Sequence, residues 1–239
     1  MKVDYGERIL KGEGIEDVLE ALRSEGFNSL VLKVSDTYIP LDSLPRLTLG
    51  GKVDTKLYYV SSPPGFTSAL RRVARGYYLV LRRAEMAYTP RSLTSYMLAS
   101  GLVNQHTLFE RLKPYSLSCL KCNSTVRTAF RVFREYRAIA LPVCSRGRIW
   151  NILTVADLAH HALHVGKSQL LSSSTPVSKI AGSYIDVHEL RKYEPLDSLK
   201  KYSMILLETK NSTFFFEASI LRKFIEDYAG VPRNARDSS

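Results

Sequence analysis

Thr154 and Asp157 stand three residues apart where a strand-like run passes into an apolar, helix-like stretch. A carboxylate at a helix start is a strong acceptor for N–H and hydroxyl donors, and the free N–H groups of a helix start favour anions. The same spacing also caps a helix with no ligand involved. Thr89 and Ser92 repeat the spacing with a hydroxyl in place of the carboxylate, a weaker second candidate. Arg71 and Arg75, then Arg127, Arg131 and Arg134, lay basic edges along two other helix-like stretches. Tyr58, Tyr59, Tyr77, Tyr78, Tyr88 and Tyr96 fall near the first of them. Basic groups interleaved with aromatics suit single-stranded nucleic acid. Tyrosines of a half-buried sheet are the plainer alternative for most of them.

The remaining chemistry-bearing residues are thinner. Cys119-x-x-Cys122 has no second close pair, and Cys144 is the only other cysteine. Zinc needs four ligands, so no metal is expected and the cysteines read as strand or core residues of a reducing compartment. His160, His161 and His164 read as a partly exposed helix face. Nucleophile elbow, Walker loop, GxGxxG and paired-carboxylate signatures are all missing, so the expectation is a non-catalytic protein without a cofactor.

These residues must be positioned by something. The chain has 239 residues with 34 Lys and Arg against 23 Asp and Glu, a globular composition long enough for a substantial core. No apolar run is long enough for a membrane span, and the first residues lack a signal-like segment, so a cytoplasmic protein is expected. Residues 56–148 hold 16 basic residues and only Glu85, Glu110 and Glu135, whereas the rest of the chain holds 18 basic and 20 acidic. The whole positive excess lies in the middle, where it would attract anions.

Four segments share one order of helix, strand, turn, strand, helix. The helical stripes are Ile15/Val18/Leu19/Leu22, Phe66/Ala69/Leu70/Val73, Val126/Ala129/Phe130/Phe133 and Leu196/Leu199. The strands after them are Leu30–Val34, Tyr78–Leu81, Ala138–Val143 and Met204–Leu207. Ser145-Arg146-Gly147-Arg148 reads as a hairpin turn. Ser43, Ser92, Asp157 and Ser219 are the shared anchor at the start of each closing helix. Residues 99–114 connect the halves and have the apolar content of a helix.

The third segment resembles a CBS domain, the βαββα module named after cystathionine beta-synthase. Ala129, Leu141-Pro142-Val143, Gly147 and Ile152-Leu153-Thr154-Val155-Ala156-Asp157-Leu158 follow its pattern, with Asn151 in place of the usual Gly. Thr175-Pro176-Val177-Ser178-Lys179-Ile180 is similar to the family's lead-in strand. The resemblance implies an α/β (α+β) fold of tandem βαββα CBS repeats packed as two Bateman modules. One is 1–110, with repeats at about 1–55 and 56–110. The other is 111–230, with repeats at about 111–170 and 171–230, and 231–239 is a flexible tail.

The resemblance also implies a ligand, an adenine nucleotide of the AMP, ADP or ATP kind, in a cleft between repeats. Asp157 would hold ribose, Thr154 ribose or phosphate, and Ile152 would flank adenine, with Val177 to Lys179 as the opposite wall. The family's Asp is Ser at 43, 92 and 219, and its Thr is Pro40, Thr89 and Phe216 in the other repeats. One competent site at Asp157 is therefore expected, with Thr89 and Ser92 a weak second. Such a protein regulates, signalling its bound state to a protein partner or a second copy of itself. The alternative is a nucleic-acid-binding or protein-interaction scaffold using the basic middle region, with vestigial nucleotide sites.

Overall fold

Apolar stripes at helical spacing alternate along the chain with short runs of β-branched and aromatic residues, and the structure follows that alternation. The structure is a computed structural model, and it describes residues 5–51, 56–172, 174–209 and 212–230. The tail 231–239 lies outside the described residues.

The first repeat contains β1 (Glu7–Arg8), β2 (Leu10–Gly12), α1 (Ile15–Glu25), β3 (Val31–Val34), β4 (Thr37–Pro40) and, after a 3-10 turn, α2 (Leu44–Thr48). The second has β5 (Leu57–Val60), α3 (Phe66–Ala74), β6 (Tyr78–Leu81), β7 (Met86–Tyr88) and α4 (Pro90–Ala99). The connection between the halves does form a helix, α5 (Gln105–Leu112). The third repeat has β8 (Leu120–Lys121), α6 (Val126–Tyr136), β9 (Ala140–Ser145), β10 (Arg148–Thr154) and α7 (Val155–Ser172), interrupted at Gly166. The fourth opens on a 3-10 turn, Val177–Lys179, then α8 (Val187–Lys192), α9 (Pro195–Tyr202), β11 (Met204–Glu208), β12 (Thr213–Glu217) and α10 (Ala218–Tyr228).

In three of the repeats a leading strand (β2, β5 or β8) pairs parallel to the next (β3, β6 or β9), which pairs antiparallel to the last (β4, β7 or β10). Among the described residues, the fourth keeps only the β11–β12 hairpin. This is a mixed α+β fold of CBS-like βαββα units. The turn between β9 and β10 places Arg146 and Gly147 both at positive φ, the left-handed pair that a two-residue hairpin requires.

Two large apolar clusters hold the repeats together. One joins repeat 1 to repeat 3, with Leu22, Leu32 and Leu44 against Phe133, Leu141 and Leu158 and α2 lying on α7, and takes in Val187, Met204 and Phe215 of repeat 4. The other joins repeat 2 to repeat 4, with Leu70, Tyr88 and Met97 against Phe216, Leu221 and Phe224, and α10 lying on α3 and α4. A small cluster of Ile9, Val31, Tyr38, Val80 and Ala87 seals the sheet of repeat 1 to that of repeat 2. The N-terminal segment stitches the same seam, because β1 pairs with β7 of repeat 2 and β2 with β3 of repeat 1.

Two expectations are corrected. Cys119 and Cys144 form a disulfide, and only Cys122 is free. Residues 25 apart in sequence meet because β8 lies beside β9, a proximity that cysteine spacing does not reveal. In repeat 4 the cap of the closing helix is Glu217, not a residue anchored on Ser219. Thr154 and Glu217 are each the last strand residue before the helix, so the position equivalent to Asp157 is Ile220.

Candidate functional site

At the end of β10 the strand turns directly into α7, and Asp157 folds back over the turn. Its Oδ2 accepts the Thr154 N–H at 2.7 Å and the Thr154 hydroxyl at 2.6 Å, while Thr154 Oγ1 accepts the Asp157 N–H at 3.1 Å. Its Oδ1 accepts the Ser183 N–H at 3.0 Å. Asp157 is 2% exposed, and burial pushes its carboxyl up to about 7 against the pull of these donors. The segment bearing Ser183 is clamped to β10: Gly182 N–H donates to the Ile152 carbonyl at 2.9 Å, and the Asn151 amide to the Ala181 carbonyl at 3.3 Å. Gly182 has φ +88°, and a Cβ there would meet Asn151 Nδ2 at 2.0 Å.

The chain itself therefore covers the face where Ile152, Thr154 and Asp157 come together. Ile152 and Thr154 are fully buried. Val177 sits in the core shared by repeats 1 and 3, whereas Lys179, two residues on, is exposed.

The second pair has a different setting. Thr89 caps α4, with Ser92 N–H to Thr89 Oγ1 at 3.3 Å and Thr89 N–H to Ser92 Oγ at 2.9 Å. The Thr89 hydroxyl is buried and donates to Glu7 Oε2 at 2.8 Å. Ser92, however, lines an open cleft of about 650 Å³. Its walls come from the N-terminal segment (Tyr5 to Lys11), from Glu25 and Asn28 of repeat 1, from α4, and from Lys200 of repeat 4. A cavity of this size holds a nucleotide-sized ligand.

One end of the cleft is aromatic: Tyr5 stands 5.1 Å from Tyr96, ring centre to ring centre, with Phe66 and Tyr88 behind. Arg8, Lys11 and Lys200 supply exposed cationic chains, Lys11 being paired with Glu85. Ser95, one turn along α4, lines the cleft with a buried hydroxyl that has no hydrogen-bond partner. Arg91 forms the floor. It is 9% exposed, pairs with Glu7 at 2.9 Å, and donates to the Leu199 carbonyl at 3.1 Å and to the carbonyls of Asn28 and Lys200.

The arginines foreseen as an anion surface do not form one continuous surface. Arg71 and Arg75 line a second cavity of about 600 Å³ with Tyr58, Thr67, Ser68, Arg72 and Tyr77. Arg127, Arg131 and Arg134 are exposed along α6, which lies against α7 in the half built on repeats 1 and 3. Sequence reasoning missed Tyr5, Glu7, Arg91 and Lys200, which come from three separate stretches and meet only through the fold. It also missed Asp42, whose carboxyl is raised by burial although Arg137, Arg222 and Arg46, from three different helical segments, pull it down. Among the described residues, no three of His, Cys, Asp and Glu gather to hold a metal, and no helix is long and apolar enough to cross a membrane.

No protein-family sequence profile matches the chain, and no curated protein matches it. Solved structures do. A Methanocaldococcus jannaschii protein, described as a proposed archaeal homolog of g-AMPK, superimposes with a TM-score of 0.55 at 10% identity, covering 94% of this chain and 97% of that one. An uncharacterized conserved protein from Pyrococcus horikoshii aligns over 79% of this chain and 84% of its own, with a TM-score of 0.43 and 16% identity. The first likeness extends over nearly the whole of both chains and is a likeness of fold.

Proposed function

We propose that this protein is a non-catalytic regulator that binds an adenine nucleotide between its repeats and passes the bound state to a partner protein or a second copy. The ligand lies in the cleft above Ser92, not at Asp157, because the Asp157 carboxylate is already occupied by donors of its own chain. The observation that carries the reading is the 650 Å³ cleft itself, which joins an aromatic end, cationic rim residues and the unpartnered Ser95 hydroxyl midway along a ten-residue helix.

Adenine would stack on Tyr5 and Tyr96. The ribose would lie over Ser92 and Ser95, and the phosphates would meet Arg8 and Lys200. Because the walls come from repeats 1, 2 and 4, a ligand that draws them together stabilises one arrangement of repeats over others. That difference is what a partner would read.

The test is thermal melting with AMP, ADP, ATP and S-adenosylmethionine. A ligand at about 100 times its dissociation constant adds roughly 2.7 kcal/mol and raises the melting point by several degrees. Tyr96→Ala and Lys200→Glu should each remove the shift, and Asp157→Asn should keep it. If no adenine compound moves the melting point, the reading fails.

A further inference from the structure

Residues 56–84 contain Lys56, Arg71, Arg72, Arg75, Arg82 and Arg83 and no acidic residue. The fold gathers three of them, Arg71, Arg72 and Arg75, around one cavity. β5 is the outer strand of its sheet, in the order β1-β7-β6-β5. Its side chains alternate, so Tyr58 turns toward α3 and Tyr59 toward the opposite face. Both are exposed, at 39% and 45%, and Tyr77 is exposed at 39%. The Arg72 guanidinium lies 3.7 Å over the Tyr58 ring, and Tyr77 meets that ring edge-on at 6.4 Å. On the other face, Arg82 lies 3.8 Å over Tyr59. Arg71 on α3 and Arg75 just past its end stand exposed at the rim of the 600 Å³ cavity, beside the hydroxyls of Thr67 and Ser68.

We infer that this face, Tyr58 and Tyr77 with Arg71, Arg72 and Arg75, is a binding site for single-stranded nucleic acid, separate from the nucleotide cleft. An acid-free row of arginines follows a phosphate backbone, and exposed rings accept bases whatever their sequence. The Arg72 guanidinium over the Tyr58 ring adds cationic surface beside the rings on which a base can stack. An acidic peptide would use the arginines and have no need of the tyrosines. The strand runs along α3, its phosphates on Arg71 and Arg75 and its bases on Tyr77 and Tyr58.

The experiment is fluorescence anisotropy of a labelled oligouridine of about 15 nucleotides, titrated to about 100 µM protein at about 50 and 200 mM NaCl. Two arginines on two phosphates predict a log–log salt slope near −1.4, hence roughly a sevenfold weakening between the two salts. Arg71→Ala/Arg75→Ala should weaken binding by about tenfold or more and flatten the slope. Tyr77→Ala should weaken it at least about fivefold with the slope unchanged. These are surface positions, and unchanged circular dichroism of the variants confirms that they are folded.

Absence of binding at the lower salt overturns the proposal. So does full binding by the Tyr77→Ala variant combined with equal displacement by polyglutamate, which would make the face an acidic-peptide surface. Saturating AMP should leave the oligonucleotide bound. Displacement by AMP would show that the two ligands share one site and would also overturn it. Failure of the nucleotide reading alone, seen in the melting test, leaves this result unaffected.

Discussion

Glu217 accepts the backbone N–H of Ile139 at 3.0 Å, and so carries a buried carboxylate from repeat 4 to the residue that precedes β9 in repeat 3. Glu7 stands in the same relation to Leu30, whose N–H it accepts at 2.7 Å just before β3. In both halves a carboxylate at the helix cap of the even repeat fixes the central strand of the odd one: Glu7 receives the Thr89 hydroxyl that caps α4, and Glu217 itself caps α10. The two halves of the chain share a device that the overt sequence pattern does not show.

Glu7→Gln and Glu217→Gln should each destabilise the protein by about 2–4 kcal/mol, since each leaves buried donors without a full acceptor. Chemical denaturation reads this. A loss under about 0.5 kcal/mol would mean that the neighbouring N–H groups find other partners.

Asp157 and Glu217 are both pushed up to about 7 by burial. In the unfolded chain each titrates near 4. The folded state therefore holds the protons longer, and the stability from each group is full below about pH 4 and is lost as pH rises through 7. For Asp157 the effect is on the order of 4 kcal/mol. The melting point should fall as pH is raised from about 5.5 to 8. Asp157→Asn should flatten that fall, and it should also lower the melting point throughout, because an amide has one acceptor for three donors. A melting point that climbs over the same range would contradict the assignment.

Gly182→Ala should act on the same region without touching the carboxylate. A methyl group would collide with Asn151 at a backbone angle that alanine resists. The expected outcome is a loss of at least about 1–2 kcal/mol and faster hydrogen exchange at the Ser183 amide. Unchanged protection there would mean that the segment holds Asp157 by other contacts.

The Cys119–Cys144 disulfide closes a loop of about 25 residues across repeat 3. Reduction, or Cys119→Ser, should lower stability by roughly 2–4 kcal/mol. Cys122→Ser should change little, because Cys122 is the cysteine left free.

Repeat 3 was legible because Leu141-Pro142-Val143 and the Ile152–Leu158 run combine period-two and helical patterns in one short stretch. Repeats 1 and 2 became readable only by comparison with it, although α1 ends at Gly26, at φ +84°. Repeat 4 slipped by one residue because Ser219 mimics a capping residue, while the true cap, Glu217, looked like a strand end. The cleft was not legible at all. Tyr5, Arg91 and Lys200 are nearly 200 residues apart at the extremes, and no local pattern marks residues that share only a wall. Likewise, nothing local said that Asp157 would be covered by Ser183, which is 26 residues downstream.

The two large apolar clusters interlock the chain, repeat 1 with repeat 3 and repeat 2 with repeat 4. A nascent chain that has made only its first half owns two half-cores and can complete neither. Its α2 must wait for α7, and its α3 and α4 must wait for α10, close to the last described residue. Contacts of such sequence range make folding slow, and the exposed faces of α3 and α4 would be sticky until α10 has been made. Truncation at about residue 200 should therefore leave an aggregating chain in place of a smaller folded protein, and production of this protein should be unusually sensitive to the supply of chaperones.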